Sequence, residues 1–508
     1  MPECGAAALI DGREVAIFRV RDATYAIGNH DPASGANVLS RGIVGDVGGE
    51  IVVASPLYKH HYSLVSGRCL EDAELSVPVY LSRISSGQVW IRGNPAVGRP
   101  RRARRRLVVI GDGIAATHTL EALLELAPQA HDITVFGAET RGGYNRVLLS
   151  NLLAGEKKEA DIITHPPEWY RTRGIELHAG DAIESIDRRR RCVRSRRGLV
   201  AAYDRLLIAT GAVPLRLEVP GCNLRGIATL RNLEDVEALV AAAKTCRRAI
   251  VIGGGLLGLE AASGLKRRGM EVTVLHLEPE LMDRQLDAQA AALLRLELEK
   301  RGLEFVMPAR ATGFVGETHV AGVKTADGLV LPAELVVVAI GIRPNIVLAQ
   351  SAGLACDRGI LVDDTLATHD PAIYAVGECV QHRGATFGLV APLMAQAQVC
   401  ASFLAERAAR GYRPPEPSTQ LKVSGIDVFS AGNLKPAPGS ESLVLRDARR
   451  GIYKRLIIEN DRIRGALLYG DVRDGHWYLE LMRERRDIRE LRDALLFGAP
   501  RRAAELAS

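Results

Sequence analysis

The sequence predicts a multidomain protein in which a small all-β domain precedes an α/β region, and an α+β unit ends the chain. Short runs of alternating apolar and polar residues fill positions 1–93, a period typical of half-buried strands. Strand-like and helix-like patterns then alternate from Leu107 to about residue 410, as in parallel sheets with crossover helices. The final part mixes strand-like runs with one charged amphipathic helix, predicted over residues 478–496.

The predicted boundaries fall where turn-forming residues interrupt these patterns. Arginine, proline and glycine crowd together just after the all-β region, which favours a solvated linker there. The predicted segments are an all-β domain (1–93), a basic linker (94–106), a first α/β domain (107–229 and 346–412), a second α/β domain (230–345) and a C-terminal domain (413–508).

The composition is that of an ordinary globular protein. A net charge of +6 from 66 basic and 60 acidic residues is small for this length, so no nucleic-acid partner is expected. No apolar run approaches the roughly 18 residues that span a bilayer, and the first residues lack a signal-peptide pattern. We expect a cytoplasmic protein with no membrane association.

The eight cysteines are scattered without CxxC pairs, so no cysteine-ligated metal site is predicted.

The first glycine motif follows a strand directly. Apolar residues precede Gly111, Gly113 and Ala116, spaced as G-x-G-x-x-A, and a helical pattern follows. Gly111 permits the tight turn, Gly113 lets a pyrophosphate approach the backbone at the helix N-terminus, and Ala116 allows close helix packing. The next strand is predicted to end at Glu139, whose carboxylate can accept hydrogen bonds from ribose hydroxyls.

A second motif of the same kind makes the signal much more specific. Gly253, Gly255 and Gly258 again lie between a strand and a helix. Two such units predict two dinucleotides bound by one protein, each on a Rossmann-like fold.

The choice between NADH and NADPH depends on the end of the second strand in this unit. His276 occupies the usual acidic position and Glu278 follows two residues later. A carboxylate would favour the 2′-hydroxyl of NAD and repel the 2′-phosphate of NADP, whereas His276 does neither. Arg267 and Arg268 are nearby in the sequence. The coenzyme preference therefore stays open.

Three further stretches resemble the two-dinucleotide flavoprotein reductases. They are ATG, which contains Thr210 and Gly211, the strand LVVVAIGIRPN, and DPAIYAVGEC, which contains Gly377 and Glu378. The resemblance implies bound FAD and NAD(P)H. It also implies that Glu378, where the family has aspartate, binds the ribityl chain. A helix beginning near Pro392 would aim its N-terminus at the flavin.

The resemblance narrows at GGYNRVLLSNLLAGEKKEADI, THPPEWYRTRGIELHAGD and HRGATFGLVAPL. These are similar to the flavoprotein part of the bacterial assimilatory nitrite reductase large subunit and its nitrate reductase electron-transfer relatives. By this resemblance, Arg146 is a candidate for binding a flavin phosphate.

The first 93 residues resemble the small subunit of the same enzymes, a Rieske-like β domain, through DPASGANVLSRGIVGD, VVASPLY and SGRCLED. Rieske domains hold their cluster with two thiolates and two imidazoles. Those positions are Asn29, Asp31, Ser55 and Tyr58 here, and none can replace a thiolate. No cluster and no other metal site is predicted in this domain.

The chemistry implied by the resemblance is hydride transfer from NAD(P)H to the flavin, followed by electron transfer to a metal centre in a partner. The expected acceptor is a nitrite or nitrate reductase catalytic subunit, or a small iron–sulfur protein serving it. No catalytic side chain is assigned, and a homodimer is a further expectation. Two alternatives stay open: a ferredoxin- or rubredoxin-type reductase of another pathway, and a non-catalytic assembly module that retains the flavin fold.

Overall fold

The structure is a computed structural model that describes residues 5–20, 23–72, 74–85, 87–92, 104–415, 418–423 and 425–499. Residues 94–103 of the predicted basic linker lie outside the described residues. The chain divides into two compact units, residues 1–105 with 127–131, and residues 106–126 with 132–508.

The first unit contains small antiparallel sheets around an apolar core. Phe18, Ile27, Val53 and Tyr62 are fully buried in this core, as the alternating pattern of the sequence predicts. Its strands are Gly5–Ile10, Arg13–Val20, Ala23–Gly28 and Val79–Tyr80 in one sheet, Ile43–Val47, Glu50–Ala54 and His61–Ser63 in a second, and the pairs His30–Asp31 with Ala36–Asn37 and Ser82–Ser85 with Gln88–Ile91.

The second unit begins with a five-stranded sheet whose assigned pairings are parallel. Two helices, Ile114–Leu126 and Val390–Leu404, pack together in its core. Ala116 and Ala401 are both 0% exposed in that core, and their small side chains let the helices approach closely. The strands lie in the order Glu176–His178, His131–Phe136, Arg105–Ile110, Arg205–Ile208 and Ile373–Ala375.

Shorter elements connect this sheet to the rest of the unit. They are helices Leu149–Leu153, Pro167–Thr172 and Val347–Ser351, the antiparallel strands Ile183–Asp187, Cys192–Ser195 and Val200–Ala202, the pairs Gly143–Tyr144 with Ile163–His165 and Ala212–Pro214 with Ile342–Pro344, and strands Ile360–Val362, Val380–His382 and Ala385–Thr386.

A second five-stranded parallel sheet follows the same plan. Helix Leu256–Arg267 follows the central strand of this sheet in the chain. It packs on helix Leu149–Leu153, where the absence of a side chain on Gly264 makes room for Leu153. The sheet order is Ile227–Ala228, Leu335–Val338, Arg248–Ile252, Glu271–Leu275 and Glu304–Val306, with helices Leu233–Ala242 and Ala288–Lys300 and a meander of Ala311–Val315, Gly322–Thr325 and Val330–Pro332.

The C-terminal part is a five-stranded antiparallel sheet covered by one helix. The helix predicted over residues 478–496 was misplaced: it spans Gly475–Arg483. It ends there because Arg485 adopts a left-handed conformation with φ 51°, a common helix stop. The strands lie in the order Ser418–Val423, Ile426–Gly432, Arg462–Tyr469, Ile452–Glu459 and Glu441–Asp447.

None of the helices in the described part of the chain combines the length and the apolar character needed to cross a membrane.

Candidate functional site

A cavity of about 740 Å³ lies at the carboxyl ends of the first parallel sheet, where open α/β sheets bind their ligands. The structure brings eight residues predicted from the sequence to its wall. Ala116 does not line the cavity but is fully buried among the helices behind it. The eight lining residues are Gly111, Gly113, Glu139, Arg146, Thr210, Gly211, Gly377 and Glu378.

The first glycine motif provides an open backbone surface in this cavity. Gly111 has φ 104°, and a Cβ atom there would lie 2.3 Å from the carbonyl oxygen of Ala209, so only glycine fits. A Cβ on Gly113 would meet only the Arg146 side chain, at 4.0 Å. Because Ile114 and Ala115 at the N-terminus of the following helix also line the cavity, the loop fits a pyrophosphate.

Glu139 belongs to a polar group at one side of the cavity. The strand before it ends at Phe136 rather than at Glu139. Gly137 still donates its backbone N–H to the His178 carbonyl oxygen of the neighbouring strand, and the chain bends over residues 138–140. The Glu139 carboxylate accepts hydrogen bonds from the Tyr144 hydroxyl at 2.6 Å and from Arg146 Nη2 at 2.5 Å. The arginine and the carboxylate therefore hold each other in position at the cavity wall.

Asp112, between the two glycines, was not singled out in the sequence. Its carboxyl group is buried, and its Oδ2 atom has no hydrogen-bond partner among the described residues. Burial raises the pKa of Asp112 to about 6, with the Glu139 carboxylate adding to this effect and Arg146 opposing it. A buried carboxyl group in a predicted phosphate-binding loop makes the charge of this loop depend on pH.

Glu378 lies in the same cavity and pairs with Arg231, which the sequence reasoning also missed. Both side chains are largely buried. Arg231 Nε donates to the Ala212 carbonyl oxygen at 3.2 Å, which orients the guanidinium. The backbone N–H of Arg231 donates to the Asp235 carboxylate at 2.7 Å, which holds the main chain. No short motif marks Arg231, because its partner is 147 residues away in the chain.

The helix predicted near Pro392 begins at Val390, and its first turn lines the cavity. No side chain caps its N-terminus, which leaves backbone N–H groups available to a ligand. The buried Gln396 of this helix accepts a hydrogen bond from the Gly377 N–H at 2.7 Å. The Thr210 hydroxyl donates to the Asn345 carbonyl oxygen at 2.7 Å, so its side chain stabilises the cavity wall.

The second glycine motif repeats the geometry of the first. Gly253 has φ 123°, and a Cβ atom there would lie 2.3 Å from the Ala339 carbonyl oxygen. Around Gly255 an added Cβ would meet nothing within 4 Å, and this residue precedes helix Leu256–Arg267 without a side-chain cap. Gly258 packs directly on Gly253. The loop thus fits a second pyrophosphate at a helix N-terminus.

His276 is buried at the end of the neighbouring strand and contacts this loop. Its Nδ1 atom accepts a hydrogen bond from the Gly254 N–H at 3.0 Å, and its Nε2 atom lies 3.1 Å from the Glu280 carbonyl oxygen. Glu278 is exposed. The two arginines considered in the sequence lie elsewhere: Arg267 pairs with Glu156, and Arg268 Nε donates to the Leu153 carbonyl oxygen at 2.5 Å.

Helix Leu256–Arg267, which follows the second glycine motif, carries Glu260. The sequence reasoning did not identify this residue. Burial raises the pKa of Glu260 to about 7, the Glu156 carboxylate adds to this, and a hydrogen bond with Ser150 opposes it.

In the all-β domain, the residues at the four Rieske ligand positions make protein hydrogen bonds or face solvent. Asp31 accepts hydrogen bonds from the hydroxyls of Ser55 at 2.6 Å and Tyr62 at 2.7 Å. Asn29 donates to Glu14 at 2.9 Å, and Tyr58 is 64% exposed. Among the described residues, no group of three or more His, Cys, Asp or Glu side chains is arranged to hold a metal ion.

Comparison with known families matches residues 1–92 to the Rieske-like [2Fe-2S] domain and residues 417–486 to the rubredoxin NAD+ reductase C-terminal domain. The residues at the cluster positions do not fit a [2Fe-2S] cluster, because they supply no thiolate and no imidazole and the Asp31 oxygens are already hydrogen-bonded. No electron-transfer step is assigned to this domain.

Two similar proteins align with about three quarters of the chain. Nitrite reductase [NAD(P)H] of Bacillus subtilis is 41% identical over 387 residues, 76% of this chain and 48% of that protein. The assimilatory nitrate reductase electron transfer subunit of the same organism is 40% identical, over 76% of this chain and 50% of that protein. The chain thus spans about half the length of these relatives.

A solved structure shares the fold. A ferredoxin reductase from Rhodopseudomonas palustris superposes with a TM-score of 0.66 and 27% identity, covering 72% of this chain and 91% of the other. The model of the pyridine nucleotide-disulphide oxidoreductase family matches residues 105–401, more than half of the chain. With its two glycine loops and its cavity, the chain is an FAD- and NAD(P)H-dependent oxidoreductase and belongs to the pyridine nucleotide-disulphide oxidoreductase family.

Proposed function

We propose that this chain oxidises NAD(P)H and delivers the electrons to a metal centre carried by a partner in assimilatory nitrite or nitrate reduction. The acceptor would be a nitrite or nitrate reductase catalytic subunit, or a small iron–sulfur protein that serves it. The cavity with its eight predicted residues carries the proposal of a flavin site, and the two Bacillus subtilis relatives support the pathway.

Each part of the cavity has a proposed role in binding. The loop at Gly111 and Gly113 and the Arg146 side chain would hold the pyrophosphate, and Glu139 would accept hydrogen bonds from the adenosine ribose. Glu378 would contact the ribityl chain, and the uncapped N-terminus of helix Val390–Leu404 would face the isoalloxazine. When bound, the flavin supplies the hydride-accepting and one-electron chemistry. The protein binds, orients and shields the reactants, and no side chain is proposed as an acid or a base.

Anaerobic titration tests this function directly. The purified chain is expected to carry FAD absorbance that bleaches on addition of NADH or NADPH. It is also expected to reduce a nitrite or nitrate reductase catalytic subunit, or a small iron–sulfur protein that serves it, faster than a ferredoxin or rubredoxin of another pathway. A colourless protein that takes up no added FAD would contradict the enzymatic proposal and favour an assembly module.

The rates with different electron acceptors distinguish a reductase of nitrite or nitrate reduction from a reductase of another pathway. Faster reduction of a ferredoxin or rubredoxin that does not serve nitrite or nitrate reduction would instead favour a reductase of another pathway. The match of residues 417–486 to the rubredoxin NAD+ reductase C-terminal domain is the observation behind this alternative. A cytoplasmic location and a homodimer belong to the same proposal, and light scattering of the purified protein checks the dimer.

A further inference from the structure

The adenosine end of the second nucleotide site is marked by a histidine whose two ring nitrogens are both engaged. His276 is 9% exposed at the end of strand Glu271–Leu275. A backbone N–H can only donate, so Nδ1 accepts from Gly254 at 3.0 Å and the ring proton lies on Nε2, which donates to the Glu280 carbonyl oxygen at 3.1 Å. The imidazole is therefore neutral in this arrangement.

The glycine loop is shaped around this ring. A Cβ atom on Gly254 would lie 2.7 Å from His276 Cγ and Cδ2, so the middle glycine of the Gly253–Gly255 triplet makes room for the imidazole. The ring is packed against the loop that would bind the coenzyme, and its position is fixed from both sides.

Three charged side chains close to His276 in the sequence have contacts of their own. Asp283 lies 3.9 Å from Nε2, on the side of the ring away from Gly254, and its side chain is 42% exposed. Arg267 and Arg268 contact Glu156 and the Leu152 and Leu153 carbonyl oxygens. Neither arginine is free to move to a 2′-phosphate without giving up these contacts.

We propose that His276 makes the second nucleotide site indifferent to the 2′-phosphate, so that the chain uses NADH and NADPH with comparable efficiency. A carboxylate at this position selects NADH in two ways, by accepting hydrogen bonds from the ribose hydroxyls and by repelling the phosphate. The neutral ring removes the repulsion, and the contacts of Arg267 and Arg268 hold these two arginines elsewhere. This inference rests on the proposed function only in requiring that the second motif binds a nicotinamide coenzyme.

The test measures binding of 5′-AMP and 2′,5′-ADP to the full-length, FAD-loaded protein by isothermal titration calorimetry, alongside kcat/KM for NADH and NADPH. Wild type is expected to bind the two nucleotides with dissociation constants within about tenfold of each other. His276→Asp is expected to weaken 2′,5′-ADP binding by roughly tenfold or more, because two negative charges then face each other, with 5′-AMP binding retained.

His276→Gln is the matched control, because its amide is neutral and can both accept from Gly254 and donate to Glu280. It is expected to keep the wild-type ratio. Each variant is first checked for FAD absorbance and the wild-type circular dichroism spectrum, so that misfolding is recognised.

Three results would overturn the proposal. They are a wild-type preference for one nucleotide of more than about a hundredfold, an unchanged ratio in His276→Asp, and a change of the ratio in Glu278→Gln, which would assign the discrimination to Glu278. If wild type binds neither nucleotide, the proposed nicotinamide site itself is also wrong. If it binds 5′-AMP alone, that site stands and only its indifference to the 2′-phosphate is refuted.

Discussion

The Tyr453 hydroxyl donates a hydrogen bond of 2.7 Å to the Asp287 carboxylate, and this contact joins the C-terminal sheet to the second α/β region. Asp287 also caps the helix that begins at Ala288, by accepting the Ala290 N–H at 3.0 Å. Arg455 Nη1 donates a charged hydrogen bond of 2.9 Å to Asp287 Oδ2, the oxygen that also accepts from Tyr453. A single carboxylate thus fixes both the start of a helix and the position of the C-terminal sheet.

Removing this hydroxyl should measurably weaken the C-terminal attachment. Tyr453 is 1% exposed, so Tyr453→Phe keeps its packing and removes only the hydrogen bond. We expect a loss of about 1.5–3 kcal/mol in the free energy of unfolding, the range for hydrogen bonds to charged groups. Urea denaturation measures it. Tyr58→Phe, at a position that is 64% exposed, serves as the control and should change stability by less than about 0.5 kcal/mol. Equal effects of the two substitutions would contradict a stabilising role for the contact.

The Glu378–Arg231 pair gives a prediction for flavin binding. Glu378→Ala removes the proposed ribityl contact and leaves a largely buried guanidinium without its carboxylate. We expect FAD to bind roughly 10- to 100-fold more weakly, since such hydrogen bonds contribute about 1.5–3 kcal/mol. Quenching of flavin fluorescence on binding gives the dissociation constant.

Two further variants make this test specific. Glu378→Asp restores the residue of the related reductases and should recover most of the affinity. Val347→Ala changes a cavity-lining residue that is 71% exposed and should change the affinity little. If Glu378→Ala binds FAD as tightly as Val347→Ala, the proposed role of Glu378 is wrong.

Asp112 should make FAD binding depend on pH. Burial raises the pKa of Asp112 to about 6, and a pyrophosphate on the adjacent loop would raise it further by adding negative charge. The FAD-bound protein then holds more protons than the free protein, so affinity falls as pH rises through this range. Between pH 5 and 8 we expect the dissociation constant of FAD to rise by about tenfold.

Asp112→Asn is the matched variant, since its amide has nearly the same shape and does not titrate. The rise should disappear in this variant. A pH dependence that survives unchanged would show that another group is responsible.

The sequence predicted those parts of the site that depend on short spacings, and it missed those that depend on packing. Gly111 and Gly253 stand at fixed distances from a strand and a helix, so their positive φ angles follow from a local pattern. Thr210, Gly377 and Glu378 came only from a family resemblance, yet all three line the cavity. Arg231 carries no local signature, because only the tertiary fold brings it to Glu378.

The sequence pattern also does not determine the tautomer of His276 or the burial of the Asp112 carboxyl group. The sequence identified His276 as an unusual residue at an acidic position, but only the structure shows that its Nδ1 atom accepts the Gly254 N–H, which fixes the tautomer of the ring. The glycine motif does not specify the residue at Asp112, and only the structure shows that its carboxyl group is buried. The C-terminal helix was misplaced because its periodic pattern continues beyond Arg483 in the sequence. In the structure, the left-handed conformation of Arg485 interrupts it.

Glu260 should make the stability of the protein fall as pH rises toward neutrality. Burial raises the pKa of this carboxyl group from 4.5 to about 7, so the folded state binds its proton more tightly than the unfolded state does. The resulting loss of stability begins near pH 4.5, grows until about pH 7 and is constant above that pH. Glu260→Gln keeps the shape of the neutral form, and we expect this variant to exceed wild type in free energy of unfolding by up to roughly 3 kcal/mol at pH 8, with no advantage at pH 4.5.

Urea denaturation of both proteins across this range measures the difference, and Glu168→Gln, whose side chain is 60% exposed, should show no such trend. A Glu260→Gln difference that stays constant from pH 4.5 to 8 would mean that Glu260 is already ionised at low pH in the folded protein.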